Sequence, residues 1–179
     1  GLPVTWEGNA PAAPSWTSSQ RTQLVLKRAF DIALASAAIA FLAPLLILVA
    51  LAIKLESRGP VFFVQKREGL GGLDFDIFKF RSMRVDACDH TGVQQTVSGD
   101  PRVTRVGRFI RRTSIDELPQ LFNVLLGNMS VVGPRPHVAN MLAGGTTYRE
   151  LVPYYGARFA MRPGITGWAQ ANGFRGGTE

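Results

Sequence analysis

The chain has 179 residues, with 20 Lys and Arg against 13 Asp and Glu, a net charge of +7 and one cysteine. A lone Cys88 excludes an internal disulfide and fits a reducing compartment. The length allows one ordinary domain plus a membrane segment, and the positive surplus points to lipid head groups, phosphorylated substrates or nucleic acid as partners.

Residues 1–22 are rich in Pro, Ala, Gly, Ser and Thr and read as a flexible linker or tail. Ile32 to Ile53 then carries no charge. It is too long and too far from the start for a secretory signal. Its length suits a bilayer-spanning helix, and hydropathy alone favours a straight span over a buried core helix. Two features favour a different path. Pro44 removes a helical hydrogen bond and crowds the preceding turn. Lys27 and Arg28 precede the run, and Lys54 and Arg58 follow it. Positive flanks prefer the cytoplasmic side, so basic residues at both ends predict a re-entrant helix-break-helix over 23–57. Ser57-Arg58-Gly59-Pro60 ends it.

The remainder, 58–179, reads as a small cytoplasmic domain at the membrane interface, truncated at its C-terminus. Val61–Arg67 and Asp74–Arg81 predict a hairpin joined by Gly69-Leu70-Gly71-Gly72. No Gly-Lys-Ser/Thr follows those glycines, so they are not a phosphate loop. Residues 82–100 read as polar and irregular. Arg102, Arg105, Arg108, Arg111 and Arg112 fall near helical spacing with no carboxylate among them. Such a stripe is either a solvated face or a seat for anions. With one aromatic, Phe109, it lacks a stacking platform for nucleic acid, so phosphate is the expected partner. Ser114-Ile115-Asp116-Glu117 predicts a capping box that opens a second helix. Leu118, Leu121, Phe122 and Leu125 form its apolar face, Pro119 lies in or near its first turn, and Gly127 stops it. The fold class is α+β.

Asp116 and Glu117 are adjacent carboxylates at the start of that predicted helix. Acidic residues there commonly serve only the helix dipole. The same dipole holds phosphate and keeps an aspartate ionised, as a nucleophile towards phosphorus must be. Arg135, held between Pro134 and Pro136, suits a preorganised phosphate contact, where the plain alternative is a surface turn. Pro163 to Gln170 is a glycine-punctuated loop with one indole, Trp168, fit for packing or for a sugar or nucleotide contact. His90 and His137 lack metal-ligand spacing with Cys88. Asp74 and Asp76 share a strand face, which suits either a divalent ion or an exposed hairpin.

Five ordered motifs together resemble the monotopic phosphoglycosyl transferases, the bacterial sugar transferase family. They are Lys27-Arg28-Ala29-Phe30-Asp31; Lys79-Phe80-Arg81-Ser82-Met83; Arg112-Thr113-Ser114-Ile115-Asp116-Glu117-Leu118-Pro119-Gln120; Val132-Gly133-Pro134-Arg135-Pro136; and Arg162 through Gln170. Pro136-His137 and then Asn172-Gly173-Phe174-Arg175-Gly176 look most like the subgroup that loads glucose 1-phosphate or galactose 1-phosphate for exopolysaccharides. The resemblance implies transfer of a hexose 1-phosphate from a UDP-sugar to undecaprenyl phosphate, releasing UMP. It also implies Mg²⁺, a bacterial inner-membrane location at the cytoplasmic face, and an aspartyl-phosphosugar intermediate. By resemblance Asp116 is the nucleophile, and Glu117 assists it or the metal, so both are metal candidates. Arg111, Arg135, Lys79 and Arg81 are the expected phosphate contacts, and Pro44 is the membrane kink. Two other readings compete. One is a membrane-anchored, basic lipid-binding module. The other is a direct, UDP-releasing glycosyl transferase that uses Asp74 and Asp76.

Overall fold

A computed structural model describes residues 17–85, 100–139, 142–143 and 145–173. Cys88, His90, most of the expected tail and most of the polar stretch lie outside these residues. The architecture is mixed. A long helix α1 (Ser18–Glu56) precedes a hairpin of β1 (Phe62–Glu68) and β2 (Asp74–Phe80), then α2 (Arg105–Arg112) and α3 (Gln120–Leu126). Short elements follow: β3 (Ser130–Val132), β4 (Leu142–Ala143), β5 (Thr146–Thr147), α4 (Tyr148–Leu151), β6 (Gly164–Thr166) and α5 (Trp168–Ala171). β1 pairs antiparallel with β2, β4 antiparallel with β5, and β3 parallel with β6.

α1 begins five residues before the expected position. Thr17 closes a capping box with Gln20: its hydroxyl accepts from the Gln20 N–H at 3.3 Å, and the Gln20 amide oxygen accepts from the Thr17 N–H at 2.9 Å. The apolar pattern starts later, so periodicity alone misses the polar first turns. The second difference is at Pro44, which lies inside one uninterrupted 39-residue helix. The two half-helices expected on either side of a break are a single element. Tertiary packing accounts for this. Positions 31, 35, 38, 42, 45, 49 and 53 are buried or half-buried and recur at three- and four-residue steps through Pro44. One stripe therefore faces the domain on both sides of the proline, and its contacts offset the lost N–H.

The stripe meets two apolar clusters. Ala35 packs with Phe75, Ile77, Leu121, Val124 and Met129. Val49 and Ile53 pack with Phe80 and Ile110. The opposite face of α1 is bare: Phe41 is 84 % exposed and Leu55 86 %. Among the described residues α1 is the one helix long and apolar enough to cross a membrane.

Both ends of α1 are tied to the domain. Arg28 donates to the Val124 carbonyl at 2.6 Å, which also accepts from the Gly127 N–H, and to the Leu125 carbonyl at 3.1 Å, so it caps the C-terminal end of α3. Asp31 accepts from Ser130 Oγ at 2.7 Å and from the Val131 N–H at 3.1 Å. At the other end the Glu56 carboxylate accepts from the N–H groups of Arg105 and Val106, the first two residues of α2, at 2.7 and 3.0 Å.

α3 stops at Gly127, as its sequence predicts; that residue takes φ +91°, which glycine adopts at little cost. Its inward face differs from the expected one. Leu121 and Val124 are buried together with Gln120 and Asn123, while Phe122, Leu125 and Leu126 are exposed. Asn123 sets this rotation. Its amide oxygen accepts from the Phe78 N–H at 2.9 Å, and its amide nitrogen donates to the Asp76 carbonyl at 2.6 Å. The side chain thus completes the hydrogen bonding of the β2 edge, where a leucine would leave two polar groups unpaired.

The β3–β6 pair brings the Pro-Arg-Pro segment against the Arg162–Gln170 loop. The Gly133 N–H donates to the Thr166 carbonyl and the Gly164 N–H to the Pro134 carbonyl, both at 2.9 Å. The backbones approach so closely that a Cβ on Gly164 would lie 2.1 Å from the Gly133 nitrogen. Gly164→Ala is therefore expected to force the strands apart and cost about 3 kcal/mol. Thermal unfolding in detergent checks this; a Tm within about 2 °C of wild type would show that the contact yields freely.

Candidate active site

The residues around Asp116 depart from the predicted helix start. Ser114 takes a left-handed conformation at φ 57° and makes no capping hydrogen bond, and Ile115–Glu117 forms a single 3₁₀ turn. α3 begins only at Gln120, with Pro119 as its N-cap. The capping box is thus not formed, and no α-helical dipole acts directly on Asp116.

With its capping role gone, Glu117 turns to cations. Its Oε1 accepts from Lys79 Nζ at 3.0 Å and from the Arg135 guanidinium at 3.2 Å. Three separate segments converge here: β2, the 115–117 turn and the proline-held loop. Burial alone would raise the Glu117 carboxyl, but the charges of Lys79 and Arg135 outweigh it and hold it below the ordinary range. Asp116 goes the other way. Burial pushes its carboxyl up and the Glu117 charge adds to this, against the opposing pull of Lys79 and Arg111. The two adjacent carboxylates are therefore driven apart. One is locked as an ion-paired anchor. The other is made more basic, and a more basic carboxylate is a better nucleophile once ionised.

The expected phosphate contacts divide. Lys79 and Arg135 meet at Glu117. Arg111, in the last turn of α2, acts on Asp116 through its charge. Arg81 does not belong to this group. It is 3 % exposed, and its guanidinium donates to the carbonyls of Arg58 at 2.7 Å and Ser57 at 2.8 Å and to Ser57 Oγ at 2.9 Å. It ties down the C-terminal end of α1 and is unavailable to a phosphate. Arg102 also leaves the predicted stripe: it lies before α2 and forks onto Asp100. Asp76 pairs with Lys66 at 2.8 Å on the exposed hairpin. Among the described residues no three His, Cys, Asp or Glu gather as a metal cage. Trp168 is 85 % exposed, so it is not a packing residue.

Sequence reading missed two cations. Arg67, in β1, donates to the Gln65 amide oxygen at 2.6 Å, while its buried Nε has no partner. Burial lowers its pKa to about 10, with repulsion from Arg135 adding and Glu117 opposing. The Glu68 N–H, one residue on, donates to the His137 carbonyl at 3.0 Å, which stitches β1 to the loop that carries Arg135. Arg158 contacts the same loop. Strand alternation puts Arg67 on the face of its cross-strand partner Phe75, a signal that was legible. Nothing local marked Arg158. His137 is half-buried among these cations and its pKa falls to about 3, from desolvation first and then from Arg158, Arg67 and Arg135. It stays neutral near pH 7.

Comparison with known proteins places this constellation in context. The family model described as bacterial sugar transferase matches residues 22–179. The chain is 60 % identical over 156 residues to the exopolysaccharide production protein PSS of Rhizobium leguminosarum bv. phaseoli, covering 87 % of this chain and 78 % of that protein. It is 59 % identical over 150 residues to the undecaprenyl-phosphate glucose phosphotransferase of Komagataeibacter xylinus, covering 84 % of this chain and 28 % of that one. It is 52 % identical over 155 residues to the UDP-glucose:undecaprenyl-phosphate glucose-1-phosphate transferase of Escherichia coli K12, covering 87 % and 32 %. The chain thus spans most of the first relative and about a third of the other two.

Proposed function

This chain belongs to the bacterial sugar transferase family, and we propose that it transfers a hexose 1-phosphate from a UDP-sugar to undecaprenyl phosphate, releasing UMP, as the first step of exopolysaccharide assembly. The observation that carries the reading is the pair of adjacent carboxylates shifted in opposite directions, Asp116 raised by burial and Glu117 lowered by Lys79 and Arg135, both of which bond its Oε1. A pure lipid-binding surface has no use for a half-buried carboxylate made more basic beside a cation cluster.

Lys79 and Arg135, with the charge of Arg111, offset the donor diphosphate and let an anionic nucleophile approach it. An Asp116 oxygen attacks the phosphorus that bears the sugar. The bond from that phosphorus to the UMP oxygen breaks, and UMP leaves with the electron pair. A phosphate oxygen of the lipid then attacks the same phosphorus and frees the Asp116 carboxylate. Glu117 keeps the two cations in place between turnovers. Mg²⁺ is commonly held by one or two carboxylates plus substrate phosphates rather than by a full protein cage; Asp116 and the Glu117 oxygen not bonded to Lys79 and Arg135 would be its protein ligands here. When bound, the ion would supply further charge neutralisation at the diphosphate.

The anchor reading is that both ends of α1 lie on the cytoplasmic side of the inner membrane. Arg28 and Ser57 would be about 43 Å apart on a straight helix, more than the roughly 30 Å hydrocarbon core. Yet Arg28 is bonded to α3, and Ser57 to Arg81 of the same small domain. A domain on one face of the bilayer can hold both ends only if the helix does not cross.

The deciding experiment supplies UDP-glucose without lipid. The expected result is UMP release of about one equivalent per active site and a protein heavier by one hexose phosphate. Release of UDP, or of no nucleotide until lipid is added, would refute the two-step mechanism.

A further inference from the structure

We propose that Arg158 is a positioning residue for Arg135, clamping the loop that delivers the Arg135 guanidinium to Glu117. The clamp stands on contacts alone; its effect on turnover rests on the phosphosugar-transfer reading above.

Arg135 needs outside support. Residues 134–138 form no regular element, and the flanking prolines carry no N–H with which to build a ladder. Prolines stiffen a loop but do not fix its place. Arg158, in the 3₁₀ turn Tyr155–Ala160, supplies that fixing. One guanidinium nitrogen donates to the Arg135 carbonyl and the other to His137 Nδ1. Tyr155 Oη lies 3.1 Å from the same Nδ1. A guanidinium can only donate, so Nδ1 is the acceptor, and the imidazole is neutral with its proton on Nε2. The Arg158 guanidinium also lies 4.7 Å from the centroid of the Tyr155 ring, a cation–π contact that orients it. From the far side, the Glu68 N–H holds the His137 carbonyl. The loop is thus gripped at three carbonyls, those of Pro134 (by the Gly164 N–H), Arg135 and His137, and at one ring nitrogen, and Arg158 provides two of the four grips, the two nearest the Arg135 side chain.

The chemistry of the contacts favours this role over a direct one. These hydrogen bonds go to neutral acceptors of the loop, not to Asp116 or Glu117. A half-buried guanidinium without a bonded carboxylate is costly, and here its planar fork serves two acceptors at once. An ammonium group would reach one.

The test uses the full chain in detergent micelles and has two arms. In hydrogen exchange read residue by residue, Arg158→Ala should speed exchange of the Glu68 amide, whose acceptor is the His137 carbonyl of the clamped loop, by about tenfold or more and leave the 74–80 strand protected. Unchanged exchange at the Glu68 amide would overturn the clamp. In turnover with UDP-glucose and undecaprenyl phosphate, Arg158→Ala should lower kcat by about 30-fold alone and in a Lys79→Ala background, but by less than about 3-fold in an Arg135→Ala background. A residue that merely supports the fold would cost the same factor in all three, and that result would also overturn the proposal. Arg158→Lys keeps the charge and stem and should recover part of the rate. It replaces alanine in the same cycle if Arg158→Ala does not fold. No turnover by wild type with any UDP-sugar would refute the phosphosugar-transfer reading instead, and the clamp would then be judged on exchange alone.

Discussion

Replacing Asp116 with asparagine should abolish the covalent phosphosugar adduct and lower turnover by about a thousandfold or more. The amide preserves shape but is a poor nucleophile towards phosphorus, so the loss reports chemistry rather than packing. Asp116 is half-buried with its carboxyl raised, whereas Glu117 is held low by Lys79 and Arg135. The two neighbours should therefore fail differently. Glu117→Gln should slow turnover yet still permit slow labelling, because the nucleophile survives while the placement of the cations suffers. The sign of the pH dependence follows from Asp116. Its raised carboxyl must be ionised to attack, so the rate should fall as pH drops through a value above the ordinary aspartate range. Lys79 opposes that rise, so Lys79→Met should move the fall to still higher pH. Intact-mass spectrometry of the donor-loaded protein, followed across pH, checks both statements. An adduct of normal yield on the Asp116→Asn protein would remove Asp116 from the role of nucleophile.

Arg81→Ala should unfold the domain or weaken it by about 3–5 kcal/mol. The guanidinium is buried and bonds the carbonyls of Ser57 and Arg58, where α1 ends and the chain turns towards the hairpin. Alanine would leave these acceptors without their charged donor and open a cavity beside Gly59. Arg81→Lys should recover only part, since one ammonium cannot reproduce a fork that spans both carbonyls. Chemical unfolding in detergent, followed by tryptophan fluorescence, measures this. If Arg81→Ala instead keeps wild-type stability but loses affinity for UDP, Arg81 is a substrate contact and its structural assignment is wrong. The contrast with Arg135 is instructive, since both are motif arginines. One is spent on backbone carbonyls at the end of α1; the other lies beside the carboxylates.

The parts of this protein that depend on local periodicity were legible in its sequence. The apolar run predicts a long helix because nothing polar interrupts it. Alternation and the glycine cluster predict the β1–β2 hairpin. Gly127 marks the end of α3 because glycine alone accepts its left-handed geometry without strain. The Asp116–Glu117 pair and Arg135 stand out by residue type and spacing. What the sequence could not decide depends on which distant group reaches a side chain first. Ser114 and Glu117 carry the local code for a capping box, yet two cations from β2 and the Pro-Arg-Pro loop claim Glu117, and charge-assisted pairing outweighs one cap. Pro44 carries the local code for a break, yet a buried stripe continuous across it keeps α1 in one piece. Phe122 and Leu125 look like core, but Asn123 turns α3 to bond the edge of β2 and leaves them exposed. Arg81 and Arg158 are ordinary arginines until the fold brings carbonyls from residues 57–58 and 135 within their reach. Local preferences are worth about a kilocalorie each, and a few buried hydrogen bonds to distant segments suffice to overrule them.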